Sequence, residues 1–187
     1  MKRKIYLASS WRNENQTIVV EQLRTAGHEV YDFKNPRPDD KGFGWTGIDP
    51  NWRTWTPEQF KHALQHPLAV KGHRYDHEAM EWADAGVLLL PCGSSAHLEA
   101  GWLAGRNKRT CVYAPTTLRE PELMYRSLAL TIGDDVFFTH IDEVLAFLER
   151  DLCAQCCFNG RRTPLAAGEA CPVATCSSHR SHPVGGV

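Results

Sequence analysis

Residues 86–105 read GVLLLPCGSSAHLEAGWLAG, and this stretch decides the fold. Gly86 to Pro91 is a continuous apolar run, as expected of a strand covered on both faces. Cys92-Gly93-Ser94-Ser95 then reads as a turn with helix-capping residues. A helix follows from Ala96 and stops on Gly105. A fully buried strand leading into a helix is one unit of a parallel sheet.

The flanks repeat that unit. Lys4 to Ala8 (KIYLA) reads as a short buried strand, and a helix is expected from about Asn13 to Ala26, with Gly27 as its stop. His28 to Phe33 (HEVYDF) alternates as a second strand. Residues 34–56 form a loop with Trp45, Trp52 and Trp55, and Pro57 opens a helix to about Gln65. A further helix is expected over Leu68 to Ala83. Arg109 to Ala114 is a fourth strand, Asp135 to Phe138 a weaker fifth, and Ile141 to Leu152 a closing helix. Strands alternating with helices predict a three-layer α/β domain over residues 1–150, with a parallel five-stranded sheet of the flavodoxin/Rossmann-like kind.

Composition agrees and excludes several classes. The chain has 187 residues, 21 Lys+Arg against 22 Asp+Glu, and a formal net charge of -1. No global basic field exists to hold a nucleic acid polymer. The longest apolar run, Ala85 to Cys92, is far below the ~20 residues of a membrane helix. Only Ile5 to Ala8 follow the basic Met1-Lys2-Arg3-Lys4, too few for a signal-peptide core, so a cytoplasmic protein is expected.

Five of the seven cysteines fall in residues 151–187, a stretch with only six large apolar side chains. That tail cannot build a core without a staple. Cys153-x2-Cys156 and Cys171-x4-Cys176 resemble two zinc knuckles, with His179 and His182 as further ligands. The second spacing is x4 and Cys157 is surplus, so a flexible thiol-rich tail is the competing expectation. No other metal or cofactor is expected.

In an open parallel sheet, ligands bind beyond the carboxyl ends of the strands. There the chain offers Ser9-Ser10-Trp11-Arg12, the tryptophan loop and Gly93-Ser94-Ser95. It has neither GxGxxG after the first strand nor GxxxxGK[ST]. Gly93, Ser94 and Ser95 can present N–H groups and hydroxyls at a helix start, which suits a phosphate or a sugar hydroxyl. Glu99, about one turn inside, is either a cleft carboxylate or a solvated helix residue. Asp76 and Asp84 stand eight residues apart, roughly on one helix face, and are either site residues or charged decoration, with Asp84 a candidate cap. Trp45, Trp52 and Trp55 either stack on a base or pack on one another. His73, His77 and His97 flank these positions, and none is assigned a catalytic role.

KIYLASSW, the Asp76-x7-Asp84 pair and HLEAGWLAG together resemble the nucleoside 2-deoxyribosyltransferase family, including its nucleoside 5'-monophosphate N-glycosidases. The resemblance covers about residues 4–150. It implies that Glu99 is a nucleophile attacking C1' of the sugar, with Asp76 serving the departing base. It implies that Tyr6 orients the glutamate and Trp11 lines the same loop. Some transferases carry a second base-binding aspartate where this chain has Gly93. The hydrolases hold a 5'-phosphate with serines and an arginine, matched here by Ser9, Ser10, Arg12, Ser94 and Ser95. The substrate implied is a nucleoside or nucleoside 5'-monophosphate, and the assembly implied is a homo-oligomer. Cleavage of NAD and non-catalytic nucleotide sensing are the alternatives, and the presence of two carboxyl groups favours an enzyme.

Overall fold

Burial on both faces governs the sheet. In the computed structural model, which describes residues 2–116, 118, 122–129 and 135–150, all five residues of β3 (Ala85–Leu89) and of β4 (Arg109–Tyr113) are buried. So are four of the five in β1 (Lys4–Ala8). Such strands must be covered from both sides, and the helices between them do this. β2 (Glu29–Tyr31) and β5 (Phe137–Phe138) are short edge strands. The order is β2-β1-β3-β4-β5 and every pairing is parallel. The predicted α/β fold is therefore the observed one.

The helices are α1 (Gln16–Thr25), α2 (Pro57–Ala63), α3 (Pro67–Trp82), α4 (Ser94–Gly105), α5 (Arg126–Ala129) and α6 (Ile141–Glu149). Neighbouring strand residues show which face each covers. Arg109 reaches the end of α6, donating from Nη1 to the carbonyls of Phe147 and Arg150. Thr110, the next residue, lies beside Gly86 where that glycine meets Leu103 of α4. Successive strand side chains point to opposite faces, so α6 and α4 cover opposite sides. Tyr6 is in register with Gly86 and Gly86 with Thr110, which puts Tyr6 on the α4 side.

Strand order reverses between β1 and β3, the switch point at which this topology opens a crevice. Side chains lock the two sides of the crevice together. Ser9 Oγ donates to the Leu89 carbonyl at 3.0 Å. Buried Asn13 donates from Nδ2 to the Pro91 carbonyl at 3.1 Å.

Several boundaries differ from expectation for local reasons. α1 starts at Gln16 rather than Asn13, because the Asn13 amide is spent on the β3 loop and its Oδ1 accepts from Asn15 N at 2.9 Å. β2 ends at Tyr31 rather than Phe33, because Asp32 turns the chain. Asp32 accepts from Lys34 N, the Asn35 amide and buried Gln16. Burial pushes the Asp32 carboxyl up, but these bonds outweigh it and hold it below the usual range. α4 starts two residues early, at Ser94, with Gly93 in the capping position and no side-chain cap. α6 ends at Glu149, short of Leu152. The tryptophan loop contains two 3-10 turns, Trp45–Gly47 and Trp52–Thr54, that the pattern did not suggest.

Among the described residues, no helix is long and apolar enough to cross a membrane. The tail, 151–187, with Cys153, Cys156, Cys171 and Cys176, lies outside the described residues. Within them, no group of three or more His, Cys, Asp or Glu side chains is placed to hold a metal ion.

Candidate active site

Two tyrosines form the floor. Tyr6 and Tyr31 occupy matching positions on adjacent parallel strands, and their rings stack with centroids 5.5 Å apart and 17° between planes. Tyr6 lies in the middle of β1 and is fully buried. Tyr31 is half-buried at the end of β2.

Each phenol serves one carboxyl group. Tyr31 Oη donates to Asp76 Oδ1 at 2.9 Å. Tyr6 lies beside Glu99, in the second turn of α4, and its hydroxyl favours the charged form of that carboxyl group. α3 brings Asp76 in from one flank and α4 brings Glu99 from the other. Asp76 lies one turn beyond Gly72, and at Gly72 the chain has no room for a side chain. A Cβ there would sit 2.7 Å from the Cβ of Phe43. The loop carrying Phe43 therefore presses on α3 immediately above Asp76.

That loop is held at its other end by Trp11. The Trp11 ring packs edge-on to Phe33 at 5.5 Å and touches Gly42, whose φ of 75° and closeness to the Phe33 carbonyl exclude any other residue. The roof over the crevice thus runs from Trp11 through Gly42 and Phe43 to α3.

Electrostatics single out the carboxyl pair. Burial raises Glu99 from 4.5 to about 7, the charge of Asp76 adds to this, and Tyr6 opposes it. Burial also raises Asp76, while Tyr31 and His73 pull it back. Burial pushes the Tyr6 phenol well above its usual range, with the charges of Glu99 and Asp76 adding to the effect, and Tyr31 is raised similarly. The phenols are therefore donors throughout the physiological range. Two carboxyl groups raised by burial in one crevice can share one proton, and so divide the work of nucleophile and proton donor.

The structure brings Glu99, Asp76 and Tyr6 together. Ser9, Ser10, Trp11, Arg12, Gly93, Ser94 and Ser95 line the same edge of the sheet. The Ser9 hydroxyl is spent on Leu89, and Ser10 Oγ accepts from Arg12 N at 3.2 Å. Arg12, Gly93, Ser94 and Ser95 are exposed.

Two expected site residues are elsewhere. Asp84 stands at the amino end of β3, the opposite edge of the sheet. There Lys4 N donates to its Oδ2 at 3.1 Å, while its own N–H donates to the Lys4 carbonyl at 2.7 Å. The helix stops at Trp82, so the eight-residue spacing from Asp76 does not keep a shared face. Trp45 makes its ring contacts with Phe43, Trp55 and Phe60, at 4.8–5.7 Å, in a cluster of the loop against α2.

Tyr31 was not anticipated from sequence. The signal available was an aromatic at the same depth as Tyr6 on the neighbouring strand. His97 was assigned no role, and it is a brace. Its Nδ1 faces the Gly93 carbonyl at 3.0 Å and Nε2 faces Tyr125 Oη at 3.0 Å. Cys92 Sγ is 3.5 Å from the same ring. Burial and the charge of Glu99 push the Cys92 thiol up to about 11, so it is no thiolate nucleophile. An apolar groove of about 480 Å³ between α4 and residues 122–128 includes His97 and Gly101 in its lining, but neither carboxyl group.

The chain is similar in fold to a 2-deoxyribosyltransferase from the psychrotolerant bacterium Bacillus psychrosaccharolyticus. The two are 22% identical, the match covers 81% of this chain and 93% of the other, and the TM-score is 0.49. It is also similar to a CMP N-glycosidase, BcmB, of Clostridium botulinum, at 14% identity over 80% of this chain and 100% of the other, with a TM-score of 0.43. No protein-family model and no curated protein matches the chain.

Proposed function

We propose that the protein cleaves the N-glycosidic bond of a (2'-deoxy)nucleoside or nucleoside 5'-monophosphate and passes the sugar to water or to a second base. The observation that carries this is the meeting of half-buried Glu99 and Asp76 at one stacked tyrosine pair, Asp76 bonded to the Tyr31 hydroxyl and Glu99 beside Tyr6. The order of the motifs in the sequence supports the same reading.

In the proposed reaction ionised Glu99 attacks C1' from the face opposite the base. The C1'–N electron pair leaves with the base, which takes a proton from Asp76. The products are a glycosyl ester on Glu99 and a neutral base. Water or another base then attacks C1', gives its proton to the Asp76 carboxylate and releases Glu99. The step needs no cofactor. At the start of α4, Ser94 and Ser95 have exposed side chains and no side chain caps the helix, an arrangement suited to a 5'-phosphate. A homo-oligomer in solution belongs to the same proposal, with sedimentation velocity as its check.

The test is chromatography of products from deoxynucleosides, ribonucleosides and their 5'-monophosphates, with and without a second free base, beside a Glu99→Ala control. Base released without acceptor and lost by on the order of 10^4-fold in the control identifies a hydrolase. A new nucleoside formed only with acceptor identifies a transferase. No release from any substrate overturns the reading, and nicotinamide release from NAD would replace it.

A further inference from the structure

The Tyr31–Asp76 bond has a use beyond holding α3 in place. Resting on the glycosidic reading above, we propose that Tyr31 is the positioning residue for the acid: by occupying Asp76 Oδ1 it leaves the other carboxyl oxygen to carry the proton that the departing base receives.

The argument starts from hydrogen-bond directionality. Tyr31 Oη stands 2.9 Å from Oδ1. Its phenol proton is retained at any physiological pH, because burial opposes its loss and an ionised Asp76 opposes it further. A carboxyl oxygen that accepts a hydrogen bond from a phenol is a poor place for the acid's own proton. That proton therefore rests on Oδ2. The ring stack with Tyr6 fixes the Tyr31 ring, so the phenol cannot swing away without breaking the aromatic contact.

The bond also changes strength during the reaction. Before transfer it joins a neutral phenol to a neutral carboxylic acid. As the proton leaves Oδ2 for the base nitrogen, Asp76 becomes a carboxylate and the same bond becomes charge-assisted. An interaction that is stronger in the transition state than in the ground state speeds the chemical step. His73, one turn earlier on α3, adds a weaker stabilising field to the same carboxylate. Tyr6 stands differently, because its phenol serves the nucleophile Glu99. The stacked pair therefore divides the labour: one ring for the attacking group, the other for the leaving group.

This division has a chemical signature. A base that needs a proton to depart depends on Tyr31, whereas 4-nitrophenolate departs without one. The experiment compares Tyr31→Phe and Tyr6→Phe on the best nucleoside or nucleotide and on the 4-nitrophenyl glycoside of the same sugar. The phenylalanine rings preserve the stack, and thermal melting checks the folding of each variant. In parallel, Asp76 is titrated by carbon-13 NMR in a Glu99→Gln background, with and without Tyr31→Phe.

The expected result is a loss of about 10- to 100-fold on the natural substrate for Tyr31→Phe, the scale of one charge-assisted hydrogen bond. The loss on the nitrophenyl substrate is under about threefold on the same scale. Tyr6→Phe slows both substrates alike, and Asp76 titrates higher without the Tyr31 hydroxyl. Equal losses on both substrates for Tyr31→Phe, or an unmoved Asp76 titration, overturn the proposal while leaving the glycosidic reading intact. A wild-type protein that cleaves neither substrate overturns both.

Discussion

The two edges of this sheet handle charge in opposite ways. At the amino edge, cations are consumed by helix ends. The Lys108 ammonium donates to the carbonyls of Met80, Glu81 and Ala83, each at 2.7 Å, and closes the end of α3. Arg3 and Arg109 do the same for α6, through the carbonyls of Leu148, Phe147 and Arg150. The carbonyls left over at a helix end carry partial negative charge, so each contact stabilises the fold. At the carboxyl edge two acids, Asp76 and Glu99, meet in the crevice instead. Neither Asp76 nor Glu99 forms an ion pair among the described residues. Tyrosines hold them instead, which orients the carboxyl groups without removing their reactivity. One edge spends its charges on stability, and the other keeps two carboxyl groups raised above their ordinary range at some cost to stability.

Substitutions can break this contrast. The largest effect belongs to Asp76→Asn, which keeps the shape and removes the proton. Base release should fall by roughly 10^2- to 10^4-fold. Because the Asp76 charge helps raise Glu99, Glu99 should also titrate below about 7 in this variant. A Glu99 titration left in place, followed by carbon-13 NMR, would mean that the two carboxyl groups are not coupled.

The pH dependence of stability sharpens the same point. Glu99 has a folded value of about 7 against an ordinary 4.5. A raised acid binds its proton more tightly in the folded state. Its contribution is therefore fully present below 4.5 and is lost as pH rises through about 7. Glu99→Gln should be more stable than wild type at pH 8, by about 1–3 kcal/mol, and show little of this gain at pH 5. Urea unfolding at the two pH values measures the difference, and an equal gain at both would refute a buried, raised Glu99.

At the amino edge the effects are structural. Lys108→Met removes three hydrogen bonds from the end of α3. Solvent reaches part of the ammonium, so the expected loss is about 1–2 kcal/mol. The melting temperature should fall while kcat stays near wild type. Asp84→Asn should do least: a stability change within about 1 kcal/mol and unchanged turnover. A tenfold drop in turnover for Asp84→Asn would return that residue to the site.

Much of the molecule was legible in the chain. β3 and β4 announce themselves because strands buried on both faces must be apolar throughout. Helix position put Glu99 within reach of the crevice but left it open whether the carboxylate faces the cleft or solvent. Asp76 was likewise open, and the family resemblance is what set both at the site. Asp84 shows where the same logic fails. Helical spacing means nothing beyond the helix end, and the end of α3 at Trp82 is closed by Lys108, 26 residues further on. Trp45 fails differently. Its neighbours Phe43, Trp55 and Phe60 are near in sequence, and a large apolar ring buries itself on the first surface it reaches.

Local patterns therefore specified the elements and their order, because burial and backbone geometry act within a few residues. The family resemblance, rather than the local pattern, named the two acids. The partners of those acids came from the assembled fold. Register between β1 and β2 set Tyr31 beside Tyr6, and the approach of α3 across the sheet put Asp76 on its phenol. Those distances join residues 6, 31, 76 and 99, and only the packed sheet and helices bring them into one crevice, where burial raises both carboxyl groups.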